Sequence, residues 1–249
     1  MIHLPNNMLE GNNAVVTGAG SGIGRAIAIR LASEGYYVFL VGSREQPLME
    51  TKQIISNQGG SAELIVADLS LEEGINKVEY TVAKRFPQLN VLVNNAAMIE
   101  SGDYRDFTHD VVMKMFSLNT VAPFVLTNSL LNLLEAAGKA DVINISSETS
   151  IRPHGSNIVY GATKSALEYI SRSFAQSLSS KKIKFNVISP GAVDTQMLRD
   201  LLNGSQFSPP VGRLLAPEEL SEWVMNVIHS DVITGSTIIV DGGTSLISN

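Results

Sequence analysis

The sequence has 249 residues, a formal net charge of -6 and no cysteine; 44% of its residues are hydrophobic and 17% are charged. This composition predicts one globular domain, spanning residues 1–249, with enough apolar material for a large core. The negative charge argues against nucleic-acid binding, which needs clustered Lys and Arg. The lack of cysteine excludes disulfides, thiolate nucleophiles and Cys-ligated metal sites, and nothing else in the sequence indicates a metal.

The sequence carries no obvious targeting signal. Residues 1–12 are rich in Asn and lack the apolar core of a secretory signal. No uncharged apolar run approaches the roughly 20 residues that a membrane-spanning helix needs. We therefore expect a cytoplasmic protein that acts on a small molecule, away from membranes.

Short apolar runs alternate with helical stretches along the whole chain. The first run, residues 14–17, stops at glycines and precedes the helical series Ile23, Ile27 and Leu31. Six further runs predict buried strands at 36–41, 62–66, 91–93, 142–145, 185–188 and 237–240. Apolar stretches at 121–137 and 167–178 predict helices packed on a sheet face. This alternation predicts a single doubly wound, Rossmann-type α/β domain with a seven-stranded parallel sheet and helices on both faces.

One late segment is rich in loop-forming residues. Residues 203–213 contain two Gly, two Ser and two Pro, close to the carboxyl end of the chain. Such a stretch is more typical of a mobile loop than of a domain boundary. We expect a mobile substrate loop near residues 196–216.

A glycine-rich turn follows the first predicted strand. Its sequence, from Thr17 to Gly24, is TGAGSGIG. Glycines let the backbone approach a pyrophosphate, and the amino end of the next helix attracts the negative charge. An ordinary glycine-rich turn is the alternative, but the position between strand and helix favours dinucleotide binding. Asp68, at the end of the third strand, could accept a hydrogen bond from the adenine amino group.

Four polar residues form a candidate catalytic group. Tyr160 and Lys164 lie one helical turn apart on the same face, and an ammonium beside a phenol favours phenolate. Tyr160 would then serve as a general acid or base. Ser147 follows the fifth strand at the ligand-binding edge of the sheet, and Asn119 lies on a predicted helix. Each residue alone also has an ordinary structural explanation, such as a buried, hydrogen-bonded hydroxyl or a solvated lysine.

Together these motifs resemble the short-chain dehydrogenase/reductase family, including its 3-oxoacyl-carrier-protein reductase-like members. The resemblance runs from Asn13 to Gly243. It includes the 17–24 turn, residues 94–97 and the segment 190–195. It implies a hydride transfer between a nicotinamide cofactor and a carbonyl or secondary alcohol.

The resemblance also implies roles for the candidate catalytic residues. Tyr160 would transfer the proton, and Ser147 would orient and polarise the substrate oxygen, with Ser146 as a minor alternative. Lys164 would bond the nicotinamide ribose and lower the pKa of the tyrosine. Asn119 would hold a water that links this lysine to a proton relay.

The family pattern further implies a set of cofactor contacts. Val193 would contact the nicotinamide through its backbone, and Thr195 would lie near the carboxamide or the pyrophosphate. Residues 94–97 read Asn-Asn-Ala-Ala where the family more often ends in glycine, and Asn94 is the expected contact there. The full set is Gly18, Ser21, Gly22, Ile23, Gly24, Ser43, Arg44, Asp68, Leu69, Asn94, Ala96, Tyr160, Lys164, Pro190, Gly191, Val193 and Thr195.

The end of the second strand bears on the choice of cofactor. Gly42 stands where NAD-preferring members carry an aspartate, and Ser43 and Arg44 follow it. A guanidinium without a nearby carboxylate suits a 2′-phosphate. Arg44 is, however, one place beyond the most familiar position, and Ser21 replaces a basic residue often found in the glycine turn. NADP(H) is therefore favoured, and NAD(H) remains possible.

Other functions stay open from the sequence alone. A dinucleotide-binding sensor or regulatory protein of the same fold is the alternative outside catalysis. Among enzymes, the alternative to a 3-oxoacyl reductase is a dehydrogenase for a polyol, a steroid-like alcohol or a biosynthetic-pathway alcohol. The resemblance, which includes Val240-Asp241-Gly242-Gly243, also implies a homotetramer.

Overall fold

The computed structural model describes residues 12–246, which form one α/β domain around a single sheet. The strands are β1 (Asn13–Thr17), β2 (Tyr37–Gly42), β3 (Ser61–Val66), β4 (Val91–Asn94), β5 (Ala140–Ile145), β6 (Ile183–Pro190) and β7 (Thr237–Val240). All neighbouring strands are parallel, in the order β3-β2-β1-β4-β5-β6-β7. The predicted seven-stranded, doubly wound sheet is confirmed.

Helices connect the strands and cover both faces of the sheet. They are α1 (Gly22–Ser33), α2 (Glu45–Asn57), α3 (Glu72–Arg85), α4 (His109–Phe116), α5 (Ala122–Ser129), α6 (Leu131–Ala136), α7 (Ile158–Ser177), α8 (Gln196–Leu202) and α9 (Pro217–His229). Among the described residues, no helix combines the length and the apolar character needed to cross a membrane.

Two apolar cores lie on opposite faces of the sheet. One contains Ile27 and Leu31 of α1 together with Leu220 and Val224 of α9. The other contains Val78 and Val82 of α3, Leu126 of α5 and Phe185 of β6. Strands covered on both faces need continuous apolar sequences, and every residue of β1 is buried.

The predicted helix at 121–137 differs from the observed structure. The chain makes a π-helical turn at Ser117–Val121, continues as α5, and breaks at Leu130 before α6. Leu130 has φ -89° and ψ 0°, which interrupts the regular helical ladder. Asn119 therefore lies on a π-helical turn, a distortion that often marks functional sites.

The strand order changes direction at β1. Strands β2 and β3 lie on one side of β1, and β4 to β7 lie on the other side. In open parallel sheets, ligands bind beyond the carboxyl ends of the strands near such a reversal. The glycine turn follows β1, residues 95–98 follow β4, and Ser147 follows β5. The topology therefore brings these three segments to one edge of the sheet.

Candidate active site

The glycine turn leaves the amino end of α1 uncovered. Gly18 has φ +65°, and a Cβ there would come within 2.7 Å of the Asn95 amide nitrogen. A Cβ on Gly24 would overlap the carbonyl oxygen of Gly18. Ser21, the N-cap residue, is exposed and makes no capping hydrogen bond with its side chain. The first N–H groups of α1 thus lie beside a turn whose glycines contribute no side chains, which fits a pyrophosphate.

Residues after β4 hold the glycine turn in place. The side-chain amide of Asn95 donates to the Thr17 carbonyl oxygen at 2.9 Å. The Thr17 hydroxyl in turn accepts from the backbone N–H groups of Asn95 and Ala96, at 2.9 and 3.0 Å. Asn95 belongs to the 94–97 motif, but the predicted set of cofactor contacts does not include it. Its contribution is to fix the shape of the turn.

The side chain of Asn94 lies inside the fold. It is 3% exposed, and its amide nitrogen donates to Asn144 Oδ1 at 2.9 Å and to Thr127 Oγ1 at 3.2 Å. These bonds tie β4 to β5 and α5. The predicted contact between Asn94 and a cofactor stays a prediction, and the backbone is the part of the residue that these bonds leave available for it.

Arg25 and Thr51 join the glycine turn to α2. Arg25 donates to the Gly20 carbonyl oxygen at 2.5 Å, to Thr51 Oγ1 at 3.1 Å and to Glu50 Oε2 at 2.9 Å. The Thr51 hydroxyl also donates to the Ala19 carbonyl oxygen at 2.9 Å. The start of α2 is thereby fixed beside the turn.

The expected contacts for the adenosine half lie at the ends of β2 and β3. Ser43 and Arg44 are exposed, and Arg44 is the N-cap residue of α2. Asp68 is also exposed, and its Oδ1 accepts from the backbone N–H and the hydroxyl of Ser70 at 2.9 and 2.7 Å. Leu69 is buried beneath this turn. All four residues follow β2 or β3 at the carboxyl edge of the sheet, and their contacts with a cofactor stay predictions.

The segment after β6 closes over the glycine turn. A Cβ on Gly22 would meet the Thr195 methyl group at 3.0 Å, so these two segments are in direct proximity. Thr195 caps α8 by accepting from Leu198 N at 3.3 Å. The backbone at Gly191 packs against Asp241, where any Cβ would come within 2.7 Å of a carbonyl oxygen. The predicted 190–195 segment thus faces the predicted pyrophosphate cradle.

Ser147 and Tyr160 meet at the centre of the site. The Ser147 side chain lies beside the Tyr160 phenol and acts on its pKa, and Ser147 Oγ accepts from the Thr149 hydroxyl at 3.0 Å. The neighbouring Ser146 hydroxyl instead donates to Glu168 at 2.7 Å. The structure therefore favours Ser147 over Ser146 as the residue that faces the phenol.

Burial governs the protonation of the phenol. Tyr160 is 9% exposed, and burial raises the pKa of its hydroxyl to about 12. The Ser147 side chain acts in the opposite direction, and the charge of Glu148 raises the pKa further. Among the protein groups desolvation is thus the largest effect. The phenol is accordingly protonated at neutral pH. The lower pKa that we predict from Lys164 together with a cationic nicotinamide stays a prediction.

Lys164 is buried one turn beyond Tyr160. Its Nζ donates to the Ile145 carbonyl oxygen at 2.9 Å and lies 5.6 Å from the centroid of the Tyr160 ring. Burial lowers the pKa of this amine to about 8, and the negative charge of Glu168 acts against that shift. The lysine is held beside the phenol at the end of β5.

Asn119 joins three segments behind the site. Its amide nitrogen donates to Met98 O at 2.9 Å and to Thr163 Oγ1 at 3.1 Å, while its Oδ1 accepts from Met98 N at 2.9 Å. The side chain is completely buried. It therefore orients the chain after β4 against α7, and its amide atoms already have protein partners. A relay water for this residue stays a prediction.

This geometry agrees with comparisons to known proteins. The model of the family described as short chain dehydrogenase matches residues 12–206. The chain belongs to the short-chain dehydrogenase family. It is therefore an NAD(P)-dependent oxidoreductase, and the predicted class of enzyme is confirmed.

Individual relatives cover nearly the whole chain. A rhamnolipid-biosynthesis 3-oxoacyl-[acyl-carrier-protein] reductase of Pseudomonas aeruginosa is 32% identical, over 96% of this chain and 98% of the relative. A structure from Beutenbergia cavernae, solved with NADP at low occupancy, is 31% identical, with a TM-score of 0.88 over 95% and 97% of the two chains. The L-sorbose reductase of Gluconobacter frateurii, solved with NADPH and L-sorbose, is 25% identical, with a TM-score of 0.89 over 96% and 98%.

Proposed function

We propose that this short-chain dehydrogenase reduces a ketone with NADPH, with Tyr160 as the proton donor. The observation that carries the proposal is the buried Tyr160 phenol, which has Ser147 beside it and the buried Lys164 one helical turn away on α7. A regulatory protein that only bound a dinucleotide would have no need for a serine aligned with a buried phenol.

The side chains support a short sequence of steps. Ser147 would orient the substrate oxygen, and Tyr160 would donate its proton to that oxygen as negative charge develops there. When bound, the nicotinamide supplies the hydride that adds to the carbonyl carbon. Lys164 would bond the cofactor ribose from the floor of the site.

The surroundings of Tyr160 bear on the substrate class. Tyr160 packs with Met115 and Val159, and a partly buried apolar group surrounds them, including Met98, Ile99 and Phe107. An apolar wall next to the reacting hydroxyl suits an acyl or alkyl chain better than a polyol. This supports a 3-oxoacyl-type ketone over a sugar or other polyol. The loop at 196–216 is proposed to cover this substrate.

Turnover of a substrate panel with both cofactors tests the proposed function. The panel would contain ethyl acetoacetate, cyclohexanone and L-sorbose, each with NADPH and with NADH. We expect ethyl acetoacetate with NADPH to give the highest kcat/KM. Cofactor binding without any turnover of ketones or of the corresponding alcohols would instead support a regulatory role.

The residues that are expected to contact the adenosine half of the cofactor support a preference for NADPH. Arg44 is exposed at the N-cap of α2, and Gly42 places no carboxylate beside it. A charged hydrogen bond to a 2′-phosphate contributes about 1.5–3 kcal/mol. The two structural relatives solved with NADP or NADPH are consistent with this preference.

Two substitutions are expected to change the preference for cofactor. Arg44→Ala should weaken NADPH binding by about tenfold or more and leave NADH binding unchanged. Gly42→Asp should reverse the preference, because it adds a hydroxyl acceptor and a like charge beside the phosphate. Its Cβ would meet only the flexible end of Leu48, at 3.3 Å. Titration of both cofactors by nicotinamide fluorescence measures this, and equal affinities in the unmodified protein would contradict it.

Exposed apolar side chains support the proposed homotetramer. Phe124 on α5 and Tyr169 on α7 are 45% and 69% exposed, and Trp223 on α9 and Ile239 on β7 are 42% and 47% exposed. These residues provide candidate two-fold contacts on two pairs of elements. A cytoplasmic location stays a prediction from the sequence.

Light scattering is expected to give the mass of four chains at micromolar concentration. The double substitution Phe124→Asp and Tyr169→Asp should reduce that mass, because it places charges on the proposed α5/α7 contact. Replacing the exposed Tyr80 of α3 with Asp serves as the control and should leave the mass unchanged. A monomer in the unmodified protein would refute the proposed assembly.

A further inference from the structure

A buried carboxylate on α7 lies behind the proposed catalytic residues. Glu168 is only 6% exposed. It follows Lys164 by four residues and Tyr160 by eight, which places all three on one face of the helix. None of the roles described above uses it. Burying a carboxylate is costly unless polar groups surround it, so its partners are informative.

The partners of Glu168 lie on the turn that carries Ser147. Its Oε1 accepts from the Ser146 hydroxyl at 2.7 Å and lies 2.5 Å from the Ser150 hydroxyl. Its other oxygen, Oε2, lies 3.8 Å from a guanidinium nitrogen of the half-exposed Arg172. A single carboxylate oxygen thus contacts hydroxyls on both sides of Ser147.

Ser150 connects this carboxylate to the backbone of Ser147. Its hydroxyl is 2.7 Å from the Ser147 carbonyl oxygen, and its backbone N–H donates to the same oxygen at 3.0 Å. The Ser165 hydroxyl of α7 also donates to the Ser150 carbonyl oxygen at 2.8 Å. The turn is therefore attached to α7 on both sides of the residue that meets the Tyr160 phenol.

We propose that Glu168 is a positioning residue that fixes the 146–150 turn, so that the Ser147 hydroxyl is aligned with Tyr160. The proposal rests on the proposed function of this site. Tyr160 and Glu168 share one rigid helix, so anchoring the turn to Glu168 sets the distance between the serine and the phenol. The same carboxylate also favours the charged form of Lys164 against the effect of burial. An apolar residue could fill the space but would leave two serine hydroxyls without this acceptor.

The test compares Glu168→Leu, which removes the acceptor oxygens, with Glu73→Leu, at an exposed glutamate on α3, as the control. Amide hydrogen exchange of the 146–152 peptide measures the mobility of the turn directly, without substrate. Steady-state turnover of ethyl acetoacetate with NADPH measures the effect of the turn on catalysis. We expect faster exchange confined to 146–152 and a fall in kcat of about ten- to a hundredfold, with the KM for ethyl acetoacetate changed less than about twofold.

Ser146→Ala with Ser150→Ala provides a second variant that keeps Glu168. It should accelerate exchange at 146–152 and lower kcat, and it provides the test if Glu168→Leu fails to fold. Unchanged exchange of this peptide in the folded variants would overturn the proposal, and so would wild-type kcat. If the unmodified protein turns over neither ketone nor alcohol, the proposed function fails, while the exchange result still decides whether Glu168 holds the turn.

Discussion

Tyr160→Phe is expected to lower kcat by about a thousandfold, because it removes only the transferable proton of a general acid. The phenol is buried beside Ser147, and its ring fills an apolar cluster that phenylalanine can fill as well. Folding and the affinity for NADPH should therefore stay close to those of the unmodified protein. Steady-state turnover together with fluorescence titration of NADPH separates the two effects.

An exposed tyrosine provides the control for Tyr160→Phe. Tyr80 on α3 is 67% exposed, and Tyr80→Phe should leave kcat unchanged. Ser147→Ala should resemble Tyr160→Phe, since it removes the partner that orients the substrate oxygen. A near-normal rate for Tyr160→Phe would show that another group transfers the proton.

Lys164→Met is expected to lower kcat by about a hundredfold and to weaken NADPH binding by about tenfold. The same side chain is proposed to bond the ribose and to place positive charge beside the phenol. Its Nζ is anchored on the Ile145 carbonyl oxygen and is buried, so no mobile surface lysine can replace it. Unchanged affinity for NADPH would remove the ribose role while leaving the effect on catalysis.

The same substitution should increase stability at neutral pH. Burial lowers the pKa of Lys164 from 10.5 to about 8, so the unfolded chain binds more protons between those two values. The stability of the unmodified protein should therefore rise with pH across this window, and below it the buried charge costs free energy. Lys164→Met lacks this charge and should melt about 2–6 °C higher at neutral pH. Thermal melts at about pH 7 and about pH 10 measure the difference, and a lower melting temperature at neutral pH would contradict it.

Much of the fold could be predicted because its signals are local. A strand that is covered on both faces contains a short apolar run, and such runs predicted β1 and the other six strands, although the edge strands β3 and β7 are only partly buried. The glycine turn could be predicted because its shape requires glycine at fixed positions. A side chain at Gly18 or Gly24 would overlap neighbouring backbone or the Asn95 amide. The interruption at Leu130 was not recognisable, since α5 and α6 have similar apolar sequences.

The parts of the site that could not be predicted depend on contacts between distant segments. Nothing in the Asn-Asn dipeptide shows that Asn94 faces inward while Asn95 clamps the glycine turn. The pKa of Tyr160 depends on burial by residues from several elements, and the spacing to Lys164 does not show this burial. Glu168 did offer a signal, because it continues the four-residue spacing of Tyr160 and Lys164 along one helical face.

Transfer of deuterium from NADPH deuterated at the reactive position of the nicotinamide tests the hydride transfer most directly. Mass spectrometry of the alcohol formed from ethyl acetoacetate would detect the label. We expect one deuterium on the carbinol carbon, at a rate that falls about a thousandfold in Tyr160→Phe. Product without deuterium, or no product while NADPH still binds, would contradict the proposal that this chain transfers a hydride to a ketone.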